Sequence, residues 1–355
     1  MEPLPVSALP MLSALPLVTG EGVMDPVVVL DLDDLGSTPG EAPHGPRKVW
    51  LGGGVDPGGG RLLVGVATRP LGPRGQELAA QLDVTYVPVG PGSTSLATVA
   101  VDDPLGAARV ATRQAVSIPG ASLTLAGLLR TADGLDGQRA LTAESFAYSM
   151  LLAGPEYASW LRSREQRPQA EPPAGSLVRV DRRGDRLDVV LDHPRRRNAY
   201  SARLRDELHE ALRVGLLDDS VTSVVLSGAG PSFCAGGDLD EFGTTGDPVL
   251  AHLVRTTAGV ATTLEALRPR LEVRVHGPCV GAGVELAAFG TRVVARADAT
   301  FRLPEVLMGL LPGAGGTVSI TRRIGRWRLL HLCLSGEWLD ARGAHSWGLV
   351  DEVEQ

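Results

Sequence analysis

Apolar positions follow two different periods along the chain. Short runs that are apolar on both faces, Val27–Leu32 (VVVLDL), Leu62–Ala67 (LLVGVA) and Val84–Val87, predict buried strands, and Gly/Pro-rich stretches such as Gly52–Arg61 predict the loops between them. From Pro104 to Leu161 the pattern turns helical, through LGAARVATRQAV, SLTLAGLLR and LTAESFAYSMLLAGPEYASWL. The polar, Pro-rich segment Ser163–Gly175 (SREQRPQAEPPAG) has no apolar period and reads as an interdomain linker.

Beyond it, Leu177–Val180 and Leu187–Leu191 alternate as the strands of a hairpin turning near Gly184. Leu204, Leu208, Leu212 and Leu216 form the stripe of an amphipathic helix over Ser201–Leu217, with Ser201 as its cap. Val221–Leu226 ends in residues apolar on both faces, the mark of a strand in a parallel sheet. Leu271–Val275, Val293–Arg296 and Thr300–Leu303 read as further strands, with a helix opening at Val284–Phe289 and another at Gly316–Ile324. The expected organisation is a flexible tail over 1–25, a smaller α/β domain with a helical second part over 26–162, the linker over 163–175, and an α/β domain of repeated ββα-like units over 176–355.

A chain of 355 residues accommodates two such domains, each with its own core. No run of about eighteen uncharged apolar residues is present, so no membrane-spanning helix is expected. The stretch Met1–Val18 is apolar, but it opens with Glu2 and is broken by Pro3, Pro5, Pro10 and Pro16, which argues against a secretory signal. Cys234, Cys279 and Cys333 show neither disulfide nor zinc-ligand spacing, so no metal site is expected and a reducing cytoplasm fits. The net charge of −7 gives no reason to expect nucleic acid as a partner. Arg179, Arg182, Arg183, Arg186, Arg195, Arg196 and Arg197 cluster mid-chain and suit phosphates, although Lys48 is the single lysine and a general preference for arginine explains much of the count.

Three stretches carry candidate chemistry. Ser227–Leu239 (SGAGPSFCAGGDL) leaves a strand, turns through glycines and enters a helix, a device that exposes backbone amides to an anion or serves as a plain turn. His276–Arg292 (HGPCVGAGVELAAFGTR) repeats it; Gly281 and Gly283 open a dinucleotide fingerprint, but Leu286 stands where its third glycine belongs. Likewise Gly52–Arg61 lacks the Gly-Lys-Ser/Thr ending of a phosphate loop. Glu285 lies in an apolar run whose next helical neighbours are Ala288 and Phe289, so it either turns outward or is buried. Phe301–Thr317 (FRLPEVLMGLLPGAGGT) sets a second carboxylate, Glu305, among Leu303, Val306 and Leu307, either as a surface residue at a helix start or as a partner to Glu285. Two partly buried glutamates at one cleft raise each other's pKa and permit general acid and base catalysis.

In this order the stretches resemble the crotonase, or enoyl-CoA hydratase/isomerase, superfamily. LDHPRRRNAYSARLRDEL at Leu191–Leu208 and LSGEWLDARGAHSWGLVDEV at Leu334–Val353 add two matching blocks, so the likeness runs from Leu177 to Val353. It implies a spiral of ββα units preceded by a smaller α/β domain, and an acyl-CoA substrate whose coenzyme A is part of the substrate, with no separate cofactor. It implies that the amides of Gly237 and Ala282 hold the thioester oxygen, where aimed donors lower a barrier by ~3–4 kcal/mol each. By the same likeness Glu285 activates water for the β-carbon and Glu305 protonates the α-carbon. A wall for coenzyme A is implied at Arg196, Arg197, Ala199, Phe233, Ala235, Gly236, Asp238 and Leu239, with Arg196 and Arg197 meeting phosphate. A homotrimer or a pair of trimers is implied too.

The sequence ends at Gln355, where members of the family continue into a helical closing segment, and LTAESFAYSMLLAGPEYASWL resembles such a segment. The first half is then either a degenerate crotonase-like unit whose helices cover the second half, or an unrelated α/β domain. Hydration of a 2-enoyl-CoA is the leading activity; isomerisation and other crotonase-type reactions, or acyl-CoA binding without turnover, remain alternatives. Deleting residues 1–175 is expected to abolish activity, and a soluble, fully active remainder would overturn the covering role of the helices.

Overall fold

The computed structural model describes residues 2–9, 15–20, 22–33, 59–90, 95–164 and 175–355. They form two compact units, Met1–Thr131 with Gly325–Ser335, and Ala132–Ile324 with Gly336–Gln355.

The first unit is built on apolar runs buried on both faces. Its sheet contains β1 (Leu4–Pro5), β4 (Val27–Asp31), β5 (Leu62–Val66), β6 (Val84–Pro88) and β7 (Val99–Val101), side by side in that order and all parallel; β2 (Val18–Thr19) and β3 (Gly22–Val23) form a separate small hairpin. Helix α1 (Pro73–Ala79) connects β5 to β6, and α2 (Pro104–Ser117) and α3 (Pro119–Thr131) follow β7. Asp83, 1% exposed, is satisfied by a two-pronged bond from Arg130 (2.7 Å from both Nε and Nη2) and by the Leu63 amide (2.7 Å).

Residues 1–25, expected as a flexible tail, are ordered where described. β1 pairs with β4, Leu9 (1% exposed) packs among Val28, Leu30, Leu63, Leu78 and Leu82, and Arg61 donates to the carbonyls of Leu15 and Pro16. The prolines suggested a tail without structure, but Leu9, with Val6 partly buried beside it, helps fill this core.

The second unit begins earlier than the sequence suggests. Helices α4 (Gly137–Leu152) and α5 (Pro155–Ser163), expected to close the first domain, belong to it. The expected linker lies outside the described residues from 165 to 174, as do residues 52–58 of the glycine-rich loop. Packing ties α4 to the second unit: the helix buries Ala140, Leu141, Glu144 and Ser145, and Ser145 Oγ meets His252 Nδ1 at 2.9 Å.

The main sheet of this unit carries β8 (Val178–Arg183), β9 (Arg186–Leu191), β10 (Ser223–Gly228), β11 (Leu271–Val275), β13 (Arg292–Arg296) and β16 (Glu352–Glu354) in the order 16-13-11-10-9-8. Only the β8–β9 hairpin, turning at Gly184 (φ +66°), is antiparallel. A second, small sheet pairs β12 (Pro278–Val280) parallel to β14 (Thr300–Arg302), which runs antiparallel to β15 (Leu339–Asp340). The helices are α6 (Ala202–Leu217), α7 (Pro248–Thr257), α8 (Val260–Leu267), α9 (Ala282–Ala287), α10 (Gly316–Ser335) and α11 (Ala341–Trp347). Ser201 caps α6 through a bond from the Leu204 amide (3.2 Å), and Leu204, Leu208 and Leu212 are fully buried as the stripe requires. Helix α10 is broken at Gly325 (φ +80°, ψ 157°), a backbone that favours glycine, and the residues after the break join the first unit, where Trp327 Nε1 donates to the Leu82 carbonyl (3.0 Å).

One buried side chain ties down the turn after β10. Asn198, fully enclosed and at φ +54°, donates to the carbonyls of Ala229 (2.9 Å), Ser232 (2.9 Å) and Phe233 (3.0 Å) and accepts from the His193 amide (2.7 Å). Replacing Asn198 by Ala leaves these groups unpaired in a left-handed backbone and is expected to destabilise the second unit by about 2–4 kcal/mol, read as a shift in urea unfolding. Asn198→Asp keeps the acceptor and loses the donors, so it is expected to recover little of this; a variant as stable as the parent would contradict the assignment.

Candidate active site

The two glycine turns meet because they are stitched together. Cys234 and Cys279 pair as a parallel bridge, and the Val280 amide donates to the Cys234 carbonyl (3.1 Å). The first turn is fixed from its other side: the Tyr200 amide donates to the Gly236 carbonyl (2.7 Å) and the Asp238 amide to the Tyr200 carbonyl (3.1 Å). At Gly281 (φ +49°) a Cβ would lie 2.3 Å from Glu305 Oε1, so that position demands glycine for both conformation and space. Between the bonded neighbours, the amides of Gly237 and Ala282 have no acceptor among the described residues. Ala282 is the first residue of α9, where a helix leaves its amides unpaired.

Gly237 and Ala282 line one cavity of about 530 Å³ together with Glu285, Glu305, Tyr148 and Trp160. Glu285 does not turn outward. It is 2% exposed, and its Oε2 accepts from the amides of Ala314 (2.7 Å) and Gly316 (2.8 Å). Glu305 opens a single turn of helix after Pro304, and its Oε2 is enclosed without a hydrogen-bond partner. Burial holds the Glu305 carboxyl up at about 7. Burial also lifts Glu285 well above the usual carboxylate range, helped by the charges of Glu305 and Glu144 and opposed by the two loop amides. The acids thus form one coupled set that keeps a proton near neutral pH.

The remaining candidates divide. Ala235, Gly236 and Leu239 line the cavity, and Arg197 is exposed at φ +51°. Ala199 bonds locally, its amide donating to the Arg196 carbonyl (3.0 Å). Arg196 is not a free cation: its Nη2 is paired with Asp238 Oδ1 (2.6 Å) and Asp240 Oδ2 (2.5 Å), which neutralises the charge expected to meet phosphate. Phe233 is fully buried, so its ring packs in the core and forms no exposed wall. Its bulk backs the turn.

Sequence reasoning missed Glu144, Tyr148 and Trp160, all on helices it assigned to the other domain. Glu144, 3% exposed, accepts from the amides of Gly315 (2.7 Å) and Thr317 (2.9 Å) and from the Thr317 hydroxyl (2.6 Å). Burial raises its carboxyl to about 7 against those three bonds and the Arg255 guanidinium. A signal was available: Leu141, Glu144, Ser145 and Tyr148 recur on one helical face, which puts an acid on an apolar stripe. Among the described residues no group of three or more His, Cys, Asp or Glu is placed to hold a metal ion, and no helix is long and apolar enough to cross a membrane.

Comparison with known proteins identifies the family. The family described as Enoyl-CoA hydratase/isomerase matches residues 187–354. The chain is 36% identical to a 2,3-dehydroadipyl-CoA hydratase of Escherichia coli, over 49% of this chain and 68% of that protein. It is 34% identical to a probable enoyl-CoA hydratase of Rhizobium meliloti (46% of this chain, 63% of that protein) and 34% identical to a 1,2-epoxyphenylacetyl-CoA isomerase of Escherichia coli (47% and 65%). A solved enoyl-CoA hydratase from Mycobacterium smegmatis is 31% identical over 50% of this chain and 70% of its own, with a TM-score of 0.47. The chain belongs to the enoyl-CoA hydratase/isomerase family. The match spans about two thirds of these relatives' length and about half of this chain.

The raised acids predict a pH-dependent stability. Below the unfolded value of 4.5 both states hold the Glu305 proton; as pH rises towards 7 the unfolded chain releases it while the folded one keeps it, so stability falls across that window. Urea unfolding of Glu305→Gln is expected to show a flatter decline between these limits than the parent, and parallel curves would contradict the burial of this carboxyl.

Proposed function

We propose that the protein hydrates a 2-enoyl-CoA thioester. The observation that carries this reading is the convergence on one cavity of two amides without acceptors and two buried carboxyls that share the tendency to retain a proton. In this mechanism the thioester oxygen accepts from Gly237 and Ala282, and negative charge building on it during addition is stabilised by donors already in place. Water held at Glu285 gives up a proton to the acids as its oxygen bonds to the β-carbon, and Glu305 delivers a proton to the α-carbon. Water is thereby added across the double bond with no net change in the protonation of the site. A pair sharing one proton supplies both base and acid.

Coenzyme A enters as part of the substrate and no further cofactor is required. Its adenine and phosphates are assigned to the surface of Arg197, Ala199, Ala235 and Leu239, with Arg196 and Asp238 shaping that surface through their ion pair. Exposed Phe146, Met150, Val249, Leu250 and Leu253 support self-association, in keeping with the trimer or pair of trimers the family resemblance implies. The three free, buried cysteines support a reducing compartment such as the cytoplasm.

Isomerisation is the second reading, favoured by the match to an isomerase and needing only Glu305 as the moving base. Incubation with a panel of 2-enoyl-CoA thioesters, followed by mass detection, is expected to show the gain of one water. Glu285→Gln is expected to lower hydration by ~10²–10⁴-fold. Isomerisation that survives this change, with no hydration by the parent, would replace the hydratase reading; saturable acyl-CoA binding with no turnover by the parent would replace both with a binding role.

A further inference from the structure

The segment leading into α10 is gripped from two sides by carboxylates of different helices. Along the chain, the Ala314 amide donates to Glu285 Oε2 (2.7 Å), Gly315 to Glu144 Oε1 (2.7 Å), Gly316 to Glu285 Oε2 (2.8 Å) and Thr317 to Glu144 Oε2 (2.9 Å). Successive amides therefore alternate between an acid on α9 and an acid on α4. The Thr317 hydroxyl adds a fifth bond, to Glu144. The segment has no room to slip: a Cβ at Gly316 would lie 2.6 Å from Glu285 Cγ, and one at Gly313 would lie 2.2 Å from the Tyr148 ring. Moving it towards either acid breaks bonds to the other.

We propose that Glu144 is a positioning residue of the catalytic site: by holding the amides of Gly315 and Thr317 it fixes the segment from which the Glu285 carboxylate hangs. The proposal rests on the acid–base reading of Glu285 given above. The ionisable groups facing Glu285 are Glu305, Glu144 and Tyr148, with Tyr200 and Cys234 on the turn side, and Arg255 of α7 acts on Glu144 and Tyr148. Among them Glu144 is a like charge acting directly on Glu285, so removing it makes Glu285 ionise at lower pH.

Three variants separate geometry from charge, with crotonyl-CoA as the probe. Glu144→Gln is expected to lower kcat by ~10–100-fold with little change in KM, and to move the acidic limb of the kcat profile down by about 0.5–1 pH unit. Glu144→Asp keeps the charge on a shorter arm, so kcat falls while the limb stays near that of the parent. Thr317→Val leaves the carboxyl in place but removes a bond that favours its ionised form, so the limb moves in the same direction as in Glu144→Gln by a smaller amount; this arm keeps the test alive if Glu144→Gln does not fold. A limb unmoved in both Glu144→Gln and Thr317→Val, with kcat falling only in proportion to folded protein, would overturn the proposal. Titration of ¹³C-carboxyl-labelled glutamates, with Glu285→Gln to assign the signal, reads the same shift without substrate. A parent that fails to hydrate would therefore sink the proposed function and leave this test standing.

Discussion

Three carboxyl groups share the wall of one cavity, and the surrounding elements of the second unit must hold them there away from bulk solvent. A carboxylate removed from solvent must find donors or hold its proton. The five residues from Gly313 to Thr317 supply four amides and a hydroxyl to Glu285 and Glu144. That demand explains the composition of the segment, because side chains at Gly313 and Gly316 would strike Tyr148 and Glu285, and Gly315 adopts φ +100°. The amides of Gly316 and Thr317 are also ones a helix leaves unpaired at its start, so the opening of α10 is satisfied by the same bonds that hold the acids.

The second constraint is the register between the two turns. It is set by the backbone β-bridge between residues Cys234 and Cys279 and by Asn198, which holds three carbonyls of the first turn. With that register fixed, the turns pass so closely that a Cβ at Gly236 would come within 2.9 Å of the Val280 carbonyl oxygen. The free amides of Gly237 and Ala282 then border the same space. Glycine is needed where the chains touch, whereas an amide donor works from any residue, which is why alanine at 282 leaves the arrangement intact.

Much of this was legible in the residue pattern. Strands apolar on both faces, such as Leu62–Val66 and Leu271–Val275, were readable because burial leaves no polar side; the α6 stripe and its Ser201 cap were readable because both follow local rules. The burial of Glu285 was foreshadowed by its apolar neighbours. What remained hidden depends on distant partners. Arg196 looked like a free cation because Asp238 and Asp240, which neutralise it, lie some forty residues along the chain. Glu144 was assigned to another domain because a linker-like composition follows it, and nothing local says that α4 packs beside α7 or that its acid meets a loop more than 170 residues away. The N-terminal segment failed for the same reason: Pro-rich sequence conceals that Leu9 completes a core.

The groups left unsatisfied around the cavity describe what should fill it. Buried polar atoms in folded proteins almost always find partners, so an unmet one at a cavity wall marks a place held for something else. Here the unmet groups are two amide donors, at Gly237 and Ala282, and one enclosed carboxyl oxygen, Glu305 Oε2, while Glu285 Oε2 is already occupied by two amides. A ligand that complements them presents one oxygen acceptor to the amides and an atom that exchanges a proton close to the acids. A conjugated thioester has both, the carbonyl oxygen and the carbon next to it. In the proposed hydration, charge that moves onto the oxygen as the β-carbon is attacked would meet fixed amides, and the α-carbon that then becomes basic would meet a carboxyl whose burial favours its protonated form.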